Sequence, residues 1–264
     1  MSLKDADKWS VPEHTVTQFA SKGSKYCVCI PVINEGERIR NQLNKMKVAG
    51  IDQLADIIIC DGGSSDNSLD PEFLKACGIS VLLIKTGPGI VGAQLRMGYA
   101  YALKQGYQGI ITMDGNDKDH VDVVSRFIEK LEQGYDLVQG SRYAPGGRGI
   151  NTPRLRHLGI KLIHTPVINF ISGYKYTDTT NGNRGYSDKL LLSERIQPFR
   201  DIFYHYEFLV FVSSTAPRIG FKVTEVPMTR EYPPGKVPTK ITFFRGNWRI
   251  LKSLWGVVTR SYNP

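Results

Sequence analysis

The chain has 264 residues, 41% of them hydrophobic, a length that supports one large α/β domain or two small ones with a sizeable core. Its formal charge of +9 favours an anionic partner, such as a phosphorylated small molecule or an acidic membrane surface. The basic residues are scattered until the last third, without the Lys/Arg block or basic aromatic stripe of nucleic-acid binders, so we expect no nucleic-acid partner.

The cysteines and the N-terminus indicate a reducing compartment. Cys27 and Cys29 share one face of a predicted strand, and Cys60 and Cys77 are distant from them, which fits neither a zinc site nor a disulfide framework. The N-terminus lacks the apolar region of a signal peptide, and no apolar run reaches the roughly 18 residues of a membrane span. We therefore expect buried thiols in a cytoplasmic protein, soluble or peripheral at the cytoplasmic face of a membrane, whose oligomeric state stays open.

The first half of the chain alternates apolar runs with amphipathic segments. Residues 1–25 are polar and are expected to lie outside the core. Apolar runs and helical periodicity predict strands at 26–30, 57–60, 79–84 and from Ile110, and helices at 38–46 and from the glycine turn 87–92 through Leu103. This βαβαβαβ order predicts a mainly parallel, Rossmann-like sheet flanked by helices.

Polar or acidic residues follow three of these four strands. Asn34 and Glu35 follow the first strand, Asp61 the second and Asp114 the fourth. They are expected along one edge of the sheet, where nucleotides bind in open α/β folds. The acidic cluster that begins at Asp114 suits a hard cation such as Mg²⁺ that carries phosphates. An ordinary solvated loop, with one of its acids capping the next helix, is the alternative.

The glycine turn supports a second interpretation. Gly87-Pro-Gly-Ile-Val-Gly92 matches G-x-G-x-x-G between a strand and a helix, and Asp114 follows at about the spacing of the acid that binds ribose in dinucleotide sites. Two strand units precede the match, however, and ribose needs one carboxylate rather than a cluster. An NAD(P)-dependent oxidoreductase, and glycines that merely let a helix pack close to the sheet, both stay open at this point.

The second half of the chain is more basic. We predict a helix at 123–131, a strand at 136–140, a flexible loop at 144–149, a polar turn at 178–185, a strand at 221–226, a Pro-rich basic segment at 230–240 and a helix at about 242–259. The basic and apolar segment 154–171 suits either a membrane surface or a core helix with one exposed face. The domain division is a polar extension (1–25), one domain (26–240) and a C-terminal helix (241–264).

Six motifs, in this order, resemble glycosyltransferase family 2, with its dolichyl-phosphate mannose synthase-like branch as the closest. They are Ile30-Pro-Val-Ile-Asn-Glu35, Asp61-Gly-Gly-Ser-Ser-Asp66, the helix start from Gly89 to Arg96, Met113-Asp-Gly-Asn116, Gly140-Ser-Arg142 and Glu225-Val-Pro227. The resemblance covers roughly residues 26–240 and implies a GT-A fold, a UDP-, GDP- or dTDP-sugar donor, Mg²⁺ or Mn²⁺, and inversion at the anomeric carbon. It also implies a hexosyltransferase of cell-envelope biogenesis, with a polyprenyl-phosphate, glycolipid or polysaccharide acceptor.

Carried over residue by residue, the resemblance implies a donor site, a metal site and a catalytic pair. Its nucleotide-sugar residues are Pro31, Asn34, Glu35, Asp61, Gly89, Arg96, Asp114, Arg184 and Lys240. Its metal ligands are Asp114 and Asn116. Asp178 is the candidate base for a hydroxyl acceptor, and Arg142 would stabilise the leaving diphosphate. A phosphate acceptor needs no base, in which case Asp178 would orient groups in the site, and an Asx-turn or cap is its structural alternative.

Three positions depart from the family pattern. Asn116 replaces the second acid of Asp-x-Asp, Lys118 puts a cation where the branch tends to carry Gln, and Gly62 replaces a second Asp. The loss of the second acid leaves a module that binds nucleotide sugars or anionic membranes, without activity, as the alternative to an enzyme. A nucleotidylyltransferase is disfavoured because we find no N-terminal Gly-rich phosphate loop with a catalytic lysine. The family's C-terminal membrane spans have no counterpart, so membrane attachment would fall to 154–171 or the 242–259 helix.

Overall fold

The structure, a computed structural model, describes residues 3–233 and 243–264. Its strands are β1 (His14–Gln18), β2 (Tyr26–Val32), β3 (Asp56–Asp61), β4 (Ile79–Lys85), β5 (Gly109–Thr112), β6 (Leu137–Ser141), β7 (Arg148–Ile150), β8 (Arg184–Ser187), β9 (Val223–Pro227) and β10 (Thr229–Glu231). Its α-helices are α1 (Glu37–Val48), α2 (Ile51–Leu54), α3 (Pro71–Ala76), α4 (Val91–Lys104), α5 (Val123–Glu132), α6 (Arg154–Gly159), α7 (Thr165–Ser172), α8 (Asp188–Leu191), α9 (Glu207–Thr215) and α10 (Phe243–Val258). Short 3₁₀ helices span Leu3–Lys8 and Pro217–Ile219, and a π-helical turn spans Ile160–His164.

An eight-stranded sheet forms the centre of the described chain, in the order β1-β4-β3-β2-β5-β8-β6-β9. The four strands β4, β3, β2 and β5 run parallel to one another, as do β6 and β9, whereas β1 and β8 run antiparallel to their neighbours. A separate pair joins β10 to β7. The predicted mainly parallel sheet is confirmed, and its β2, β3 and β5 lie side by side.

Helices cover both faces of the sheet, because successive side chains of each central strand point to opposite faces. Cys27 and Cys29 pack on the face that α4 covers, and Val28 and Ile30 pack on the face that α1 and α5 cover. The predicted apolar stripe of α1 is buried there. All four cysteines are free and buried, as expected.

The N-terminal segment belongs to the core, which corrects the expectation for residues 1–25. Strand β1 pairs with β4 at the edge of the sheet. Trp9 is buried, and its ring stacks on Phe199 with the centroids 3.9 Å apart. Most side chains of β1 are exposed, so this edge strand has no apolar face that a sequence pattern would reveal.

A helical segment runs from Arg154 to Ser172 through α6, the π-helical turn and α7. Ile160, His164 and Ile168 face the core, while the side chains of Leu162 and Phe170 are exposed. This agrees with the predicted helix that has one exposed face. Among the described residues, no helix combines the length and apolarity that crossing a membrane requires.

Candidate active site

Hydrogen bonds join the loops that follow β2 and β3 at the carboxyl edge of the sheet. The backbone N–H of Asn34 donates to Ser64 Oγ (3.0 Å), and this hydroxyl donates to Asp61 Oδ1 (2.6 Å). Asn34 Oδ1 accepts from the N–H of Ser65 (2.8 Å), and Asn34 has a φ of 46°, in the left-handed region that asparagine tolerates. The two loops therefore form one connected rim.

Asp61 is nearly buried within this rim. Its carboxylate accepts the N–H groups of Gly63 (3.1 Å) and Ser64 (2.9 Å), which fixes the turn after β3. A pocket of about 290 Å³ adjoins the turn, and Asp61, Leu82 and Ile84 are among its lining residues. On the other loop, Glu35 Oε2 pairs with Arg38 Nη2 at 2.7 Å.

Gln94 of α4 holds the carboxyl ends of β2 and β3 together. Its Nε2 donates to the carbonyl oxygens of Val32 (2.6 Å) and Cys60 (2.8 Å). A side chain at Gly62 would place its Cβ 3.0 Å from this Nε2 and 3.2 Å from Ile33 Cβ. A second aspartate at position 62 would therefore crowd Gln94 and Ile33, which is consistent with the glycine found there.

Asp114 lies just beyond β5, and Arg230 of β10 bridges it to Asp119. Arg230 donates through Nη1 and Nη2 to Asp114 Oδ2, at 3.2 Å each, and through Nη1 to Asp119 Oδ2 at 2.5 Å. The Asp114 side chain is 24% exposed, against 1% for Asp119. Burial raises the pKa of Asp119 to about 6, although Arg230 opposes the shift. A guanidinium therefore lies where the sequence predicts a metal ion.

The rest of the acidic loop is tied to α1. Both carboxylate oxygens of Asp117 accept from Lys45 Nζ at 2.8 Å, and the Asp117 N–H donates to Gln42 Oε1 at 2.9 Å. Asn116 Oδ1 is buried and has no hydrogen-bond partner within the described chain. A carboxylate at Asp114 and this unpartnered amide oxygen fit a Mg²⁺ or Mn²⁺ ion whose other ligands come from phosphates. No cluster of three or more His, Cys, Asp or Glu side chains suited to a metal occurs among the described residues.

Three cations surround the ring of Tyr232 next to this loop. Lys118 Nζ lies 5.5 Å from the ring centroid, and the guanidinium carbons of Arg230 and Arg156 lie 5.6 and 5.9 Å from it. Burial lowers the pKa of Lys118, and the neighbouring Arg230 lowers it further. This concentration of positive charge suits a phosphorylated ligand.

The turn that contains Asp178 is buried. Arg142 donates through Nε to Asp178 Oδ2 (2.6 Å) and through Nη2 to Asp178 Oδ1 (2.9 Å), and neither side chain is more than 2% exposed. Burial alone would raise the pKa of Asp178, but the ion pair outweighs it and holds the pKa below its ordinary value. Glu225, of the Glu-Val-Pro motif, accepts the N–H groups of Thr177 (2.8 Å) and Asp178 (3.1 Å) and so fixes the turn.

The far end of this turn reaches Asp114. The Asp114 N–H donates to Asn183 Oδ1 at 3.2 Å. A Cβ at Gly182 would lie 2.8 Å from Asp114 Oδ1, so only glycine allows this approach. The turn therefore sets the position of Asp114 through the side chain of Asn183 and the close approach of Gly182.

Residues 27–193, more than half of the chain, match Glycosyl transferase family 2. The chain belongs to this family. It is 27% identical over 237 residues to the undecaprenyl-phosphate mannosyltransferase of Micrococcus luteus, a match that covers 88% of this chain and 93% of that protein. It is 30% identical over 205 residues to the polyprenol monophosphomannose synthase of Mycolicibacterium smegmatis, covering 76% of each. The predicted branch of the family is confirmed, and the chain is a glycosyltransferase.

Solved structures agree on the GT-A fold. Glucosyl-3-phosphoglycerate synthase from Mycobacterium tuberculosis, crystallised with Mn²⁺, UDP and glucosyl-3-phosphoglycerate, has a TM-score of 0.63 to this family 2 chain. The two are 15% identical, and the match covers 89% of this chain and 79% of that one. A crystal form of the same enzyme with Mg²⁺ and UDP gives the same score.

Two arginines expected at the donor site have structural contacts instead. Arg96 donates to the carbonyl oxygens of Ser10 and Phe203, at 2.7 Å each, and so joins α4 to the N-terminal segment. Arg184 is fully buried and donates to the carbonyl oxygens of Asn181, Leu209 and Thr179. Their guanidinium groups are therefore engaged inside the family 2 domain. Lys240 lies outside the described residues.

The geometry of Asp178 argues against a catalytic base. Its carboxylate is fully buried and both of its oxygens accept from Arg142, so a substrate hydroxyl has no access to it. The ion pair also holds the pKa of Asp178 below its ordinary value, which makes the carboxylate a weaker base. The buried ion pair contradicts the expectation that Asp178 and Arg142 act as separate catalytic groups. The Arg142–Asp178 pair stabilises the turn that lies next to Asp114.

The glycine turn is not an open phosphate loop. The N–H of Gly92 at the start of α4 donates to the carbonyl oxygen of Tyr204 at 2.8 Å, and a Cβ at Gly92 would collide with this same segment. A Cβ at Gly87 would meet the backbone N of Glu13 at 2.8 Å. Gly89 is exposed and has a φ of +106°. Close packing thus explains Gly87 and Gly92, and the oxidoreductase interpretation is dropped.

Sequence reasoning missed Arg230 and Gln94. Arg230 stood out only as the first residue of a basic, Pro-rich segment, and it is far from Asp114 in the chain. Gln94 lies in a helix that also contains Arg96 and Lys104, and nothing in the local sequence reveals its carbonyl partners. Its burial, which only the structure shows, is what identifies its role.

Proposed function

We propose that this chain transfers a hexosyl group, with inversion, from a nucleotide-diphosphate sugar to a polyprenyl phosphate. The observation that carries the proposal is the carboxyl edge, where the Asn34–Glu35 loop, Asp61 and Asp114 lie at the ends of three adjacent parallel strands. This is where open α/β sheets bind nucleotides. The acceptor is inferred from the names of the two bacterial relatives, an undecaprenyl-phosphate and a polyprenol-phosphate enzyme.

In this proposal the donor lies along the rim with its diphosphate at Asp114. Asp114 and Asn116 would hold Mg²⁺ or Mn²⁺, and the ion, when bound, neutralises the charge that gathers on the leaving diphosphate. Pro31, Asn34, Glu35 and Asp61 would hold the nucleoside in this arrangement. Lys118 and Arg230 add fixed positive charge beside the diphosphate, where it favours departure of the anion.

The acceptor phosphate supplies its own nucleophile. A phosphate oxygen is already anionic at neutral pH, so it attacks the anomeric carbon while the bond from that carbon to the diphosphate oxygen breaks and the nucleoside diphosphate leaves with the electron pair. No proton has to be removed, which agrees with the buried and paired Asp178. We assign to Arg156, whose guanidinium lies beside Tyr232, the role of attracting the acceptor phosphate towards the donor.

A ligand panel followed by a transfer assay tests this function. The matching donor among UDP-, GDP- and dTDP-sugars, at about 100 times its Kd, is expected to add about 2.7 kcal/mol to the free energy of unfolding. Transfer of labelled sugar to polyprenyl phosphate in Mn²⁺ or Mg²⁺ is expected to fall by about 10²- to 10³-fold in Asp114→Ala, since one stabilising group for the leaving charge is lost. Asp122→Ala is the control, because Asp122 is an exposed acid of the same segment, paired with Arg126.

Two outcomes would contradict the proposal. One is the absence of a stabilising donor in the whole panel. The other is transfer that Asp114→Ala and Asp122→Ala affect equally, because this would remove the carboxyl edge from the reaction.

We further propose that an apolar surface docks on anionic lipid, where the acceptor resides. This apolar surface comprises Leu155, Leu158, Leu162, Ile163 and Phe170 on segment 154–172, and Leu251, Trp255 and Val258 on α10, all exposed. Helix α10 packs against α7, so the two parts of the apolar surface are neighbours. Neither segment 154–172 nor α10 contains an Asp or Glu, and exposed basic residues such as Lys161 and Lys252 accompany them. Apolar side chains with basic neighbours suit an interfacial helix on acidic headgroups.

Flotation with phosphatidylglycerol vesicles at low salt tests this surface. The wild-type chain is expected to float, and the double variant Leu162→Ser/Trp255→Ser to stay at the bottom of the gradient. Val48→Ser is the control, since Val48 of α1 is 90% exposed but lies outside the apolar surface. A wild-type chain that stays at the bottom contradicts the proposal.

A further inference from the structure

Arg230 lies between two carboxylates at the carboxyl edge of the sheet. Its Nη1 lies 3.2 Å from Asp114 Oδ2 and 2.5 Å from Asp119 Oδ2. Asn116 Oδ1, two residues after Asp114, is buried and unpartnered among the described residues. Two carboxylates and an amide oxygen are the donors that a hard dication accepts. The guanidinium thus holds a position that suits a cation by the chemistry of its surroundings.

The backbone keeps Arg230 in this position. Residues Asp119 and Arg230 form an isolated antiparallel β-bridge, and the N–H of Glu231 donates to the carbonyl oxygen of Lys118 at 2.7 Å. The Arg230 side chain is 10% exposed. A buried guanidinium between two carboxylates keeps its charge at every pH at which the chain is folded. Arg230 is therefore a permanent positive charge of the site.

We propose that Arg230 holds the cation position at Asp114 in the ligand-free chain, so that a divalent metal binds there only together with the diphosphate of the donor. Arg230 and Lys118 balance the charges of Asp114 and Asp119, so a dication that arrives alone meets no net negative charge and is repelled by a buried guanidinium. A diphosphate brings the negative charge that a dication and Arg230 can share. This rests on the proposed function only for the identity of the diphosphate.

Mn²⁺ titrations followed by electron paramagnetic resonance, without nucleotide, test the proposal. Arg230→Gln is expected to bind Mn²⁺ more tightly than the wild-type chain by at least about tenfold, the lower end of what one neighbouring charge does to a carboxylate's ionisation. Arg148→Gln is the matched control, because it removes the same charge from the exposed face of β7, the strand that pairs with β10. The double variant Arg230→Gln/Asp114→Asn is expected to lose the gain.

Equal Mn²⁺ affinity in Arg230→Gln and Arg148→Gln would overturn the proposal. A second comparison does not depend on how Arg230→Gln folds: the wild-type chain and Asp114→Asn are expected to bind Mn²⁺ alone equally weakly. Mn²⁺ binding by the wild-type chain that Asp114→Asn weakens by about tenfold or more would also overturn it. Neither readout involves sugar transfer, so a failure of the proposed function leaves this test intact.

Discussion

The carboxyl edge and the buried turn each contain an aspartate paired with an arginine. The two sites differ in how much of the carboxylate a substrate can reach. At the edge, Arg230 takes only Oδ2 of Asp114, and this side chain is 24% exposed. In the turn, Arg142 takes both oxygens of Asp178, and this side chain is 0% exposed. The first acid can still meet a ligand, whereas the second can only hold the fold together.

This difference shows that a motif identifies an acid without assigning its role. Both aspartates stand in motifs of the same family, and both contact an arginine. What separates them is the burial of the pair, because a substrate or a metal must reach a carboxylate from solvent. The two regions are nevertheless linked, since Gly182 and Asn183 carry the buried turn up to Asp114.

The largest expected effect is on the turn. Asp178→Asn leaves Arg142 buried without its counter-charge, and we expect a loss of about 3–5 kcal/mol in the free energy of unfolding by urea. Asp122→Asn breaks an exposed pair with Arg126 and is expected to cost about 0.5 kcal/mol or less. If Asp178→Asn kept wild-type stability but lost transfer activity, Asp178 would be a catalytic group and the contrast between the two regions would disappear.

A pH effect of somewhat smaller size belongs to the same region. His164 is buried and its Nδ1 lies 2.6 Å from Thr179 Oγ1; burial, followed by Arg184, lowers its pKa from 6.5 to about 4. Because the folded-state pKa is the lower one, the stabilisation is complete above pH 6.5 and is lost as the pH falls towards 4. The loss amounts to about 3 kcal/mol.

Urea unfolding at neutral and acidic pH measures this loss. His164→Gln is expected to remove that part of the pH dependence, whereas the exposed His120→Gln should keep it. An unchanged pH dependence in His164→Gln would mean that other groups of the protein cause the acid sensitivity.

The smallest expected effect concerns the contact between the buried turn and Asp114 at the carboxyl edge. Gly182→Ala places a methyl group 2.8 Å from Asp114 Oδ1 and should displace the carboxylate, so we expect donor binding in Mn²⁺ to weaken by about tenfold, or ~1.4 kcal/mol. Gly159→Ala adds a methyl group with no atom within 4 Å and should change nothing. Isothermal titration of both variants makes the comparison, and equal donor affinity would show that the turn does not set the position of Asp114.

Much of the sheet could be predicted because its central strands are buried on both faces. The apolar runs 26–30, 57–60 and 79–84 stand out from their polar surroundings and coincide with the cores of β2, β3 and β4. The order of these elements also placed Asn34, Asp61 and Asp114 at one edge. Strand β1 was missed because its side chains are mostly exposed, and β8 because a short antiparallel strand inside a polar turn has no apolar run.

Local sequence predicted the motifs of the site but not the contacts between them. The pairs Asp114–Arg230 and Asp178–Arg142 join segments far apart in the chain, and nothing in either motif indicates its partner or its burial. The family motifs implied that Arg96 and Arg184 bind the nucleotide sugar, yet backbone carbonyl groups accept from both side chains. The sequence shows that a side chain is cationic. Only the packing around it determines whether it binds a ligand or hydrogen-bonds to other groups of the protein.

The choice of acceptor tests the central claim most directly. The wild-type chain, Mn²⁺ and a labelled nucleotide sugar that stabilises it are incubated with either polyprenyl phosphate or the same polyprenol without phosphate, and the lipid-linked label is counted. We predict transfer to the phosphate alone, because a phosphate oxygen needs no base and Asp178, the base that the family motif suggests for a hydroxyl acceptor, is buried and paired with Arg142. Equal transfer to the polyprenol would require a base that deprotonates a hydroxyl, and this would contradict the account.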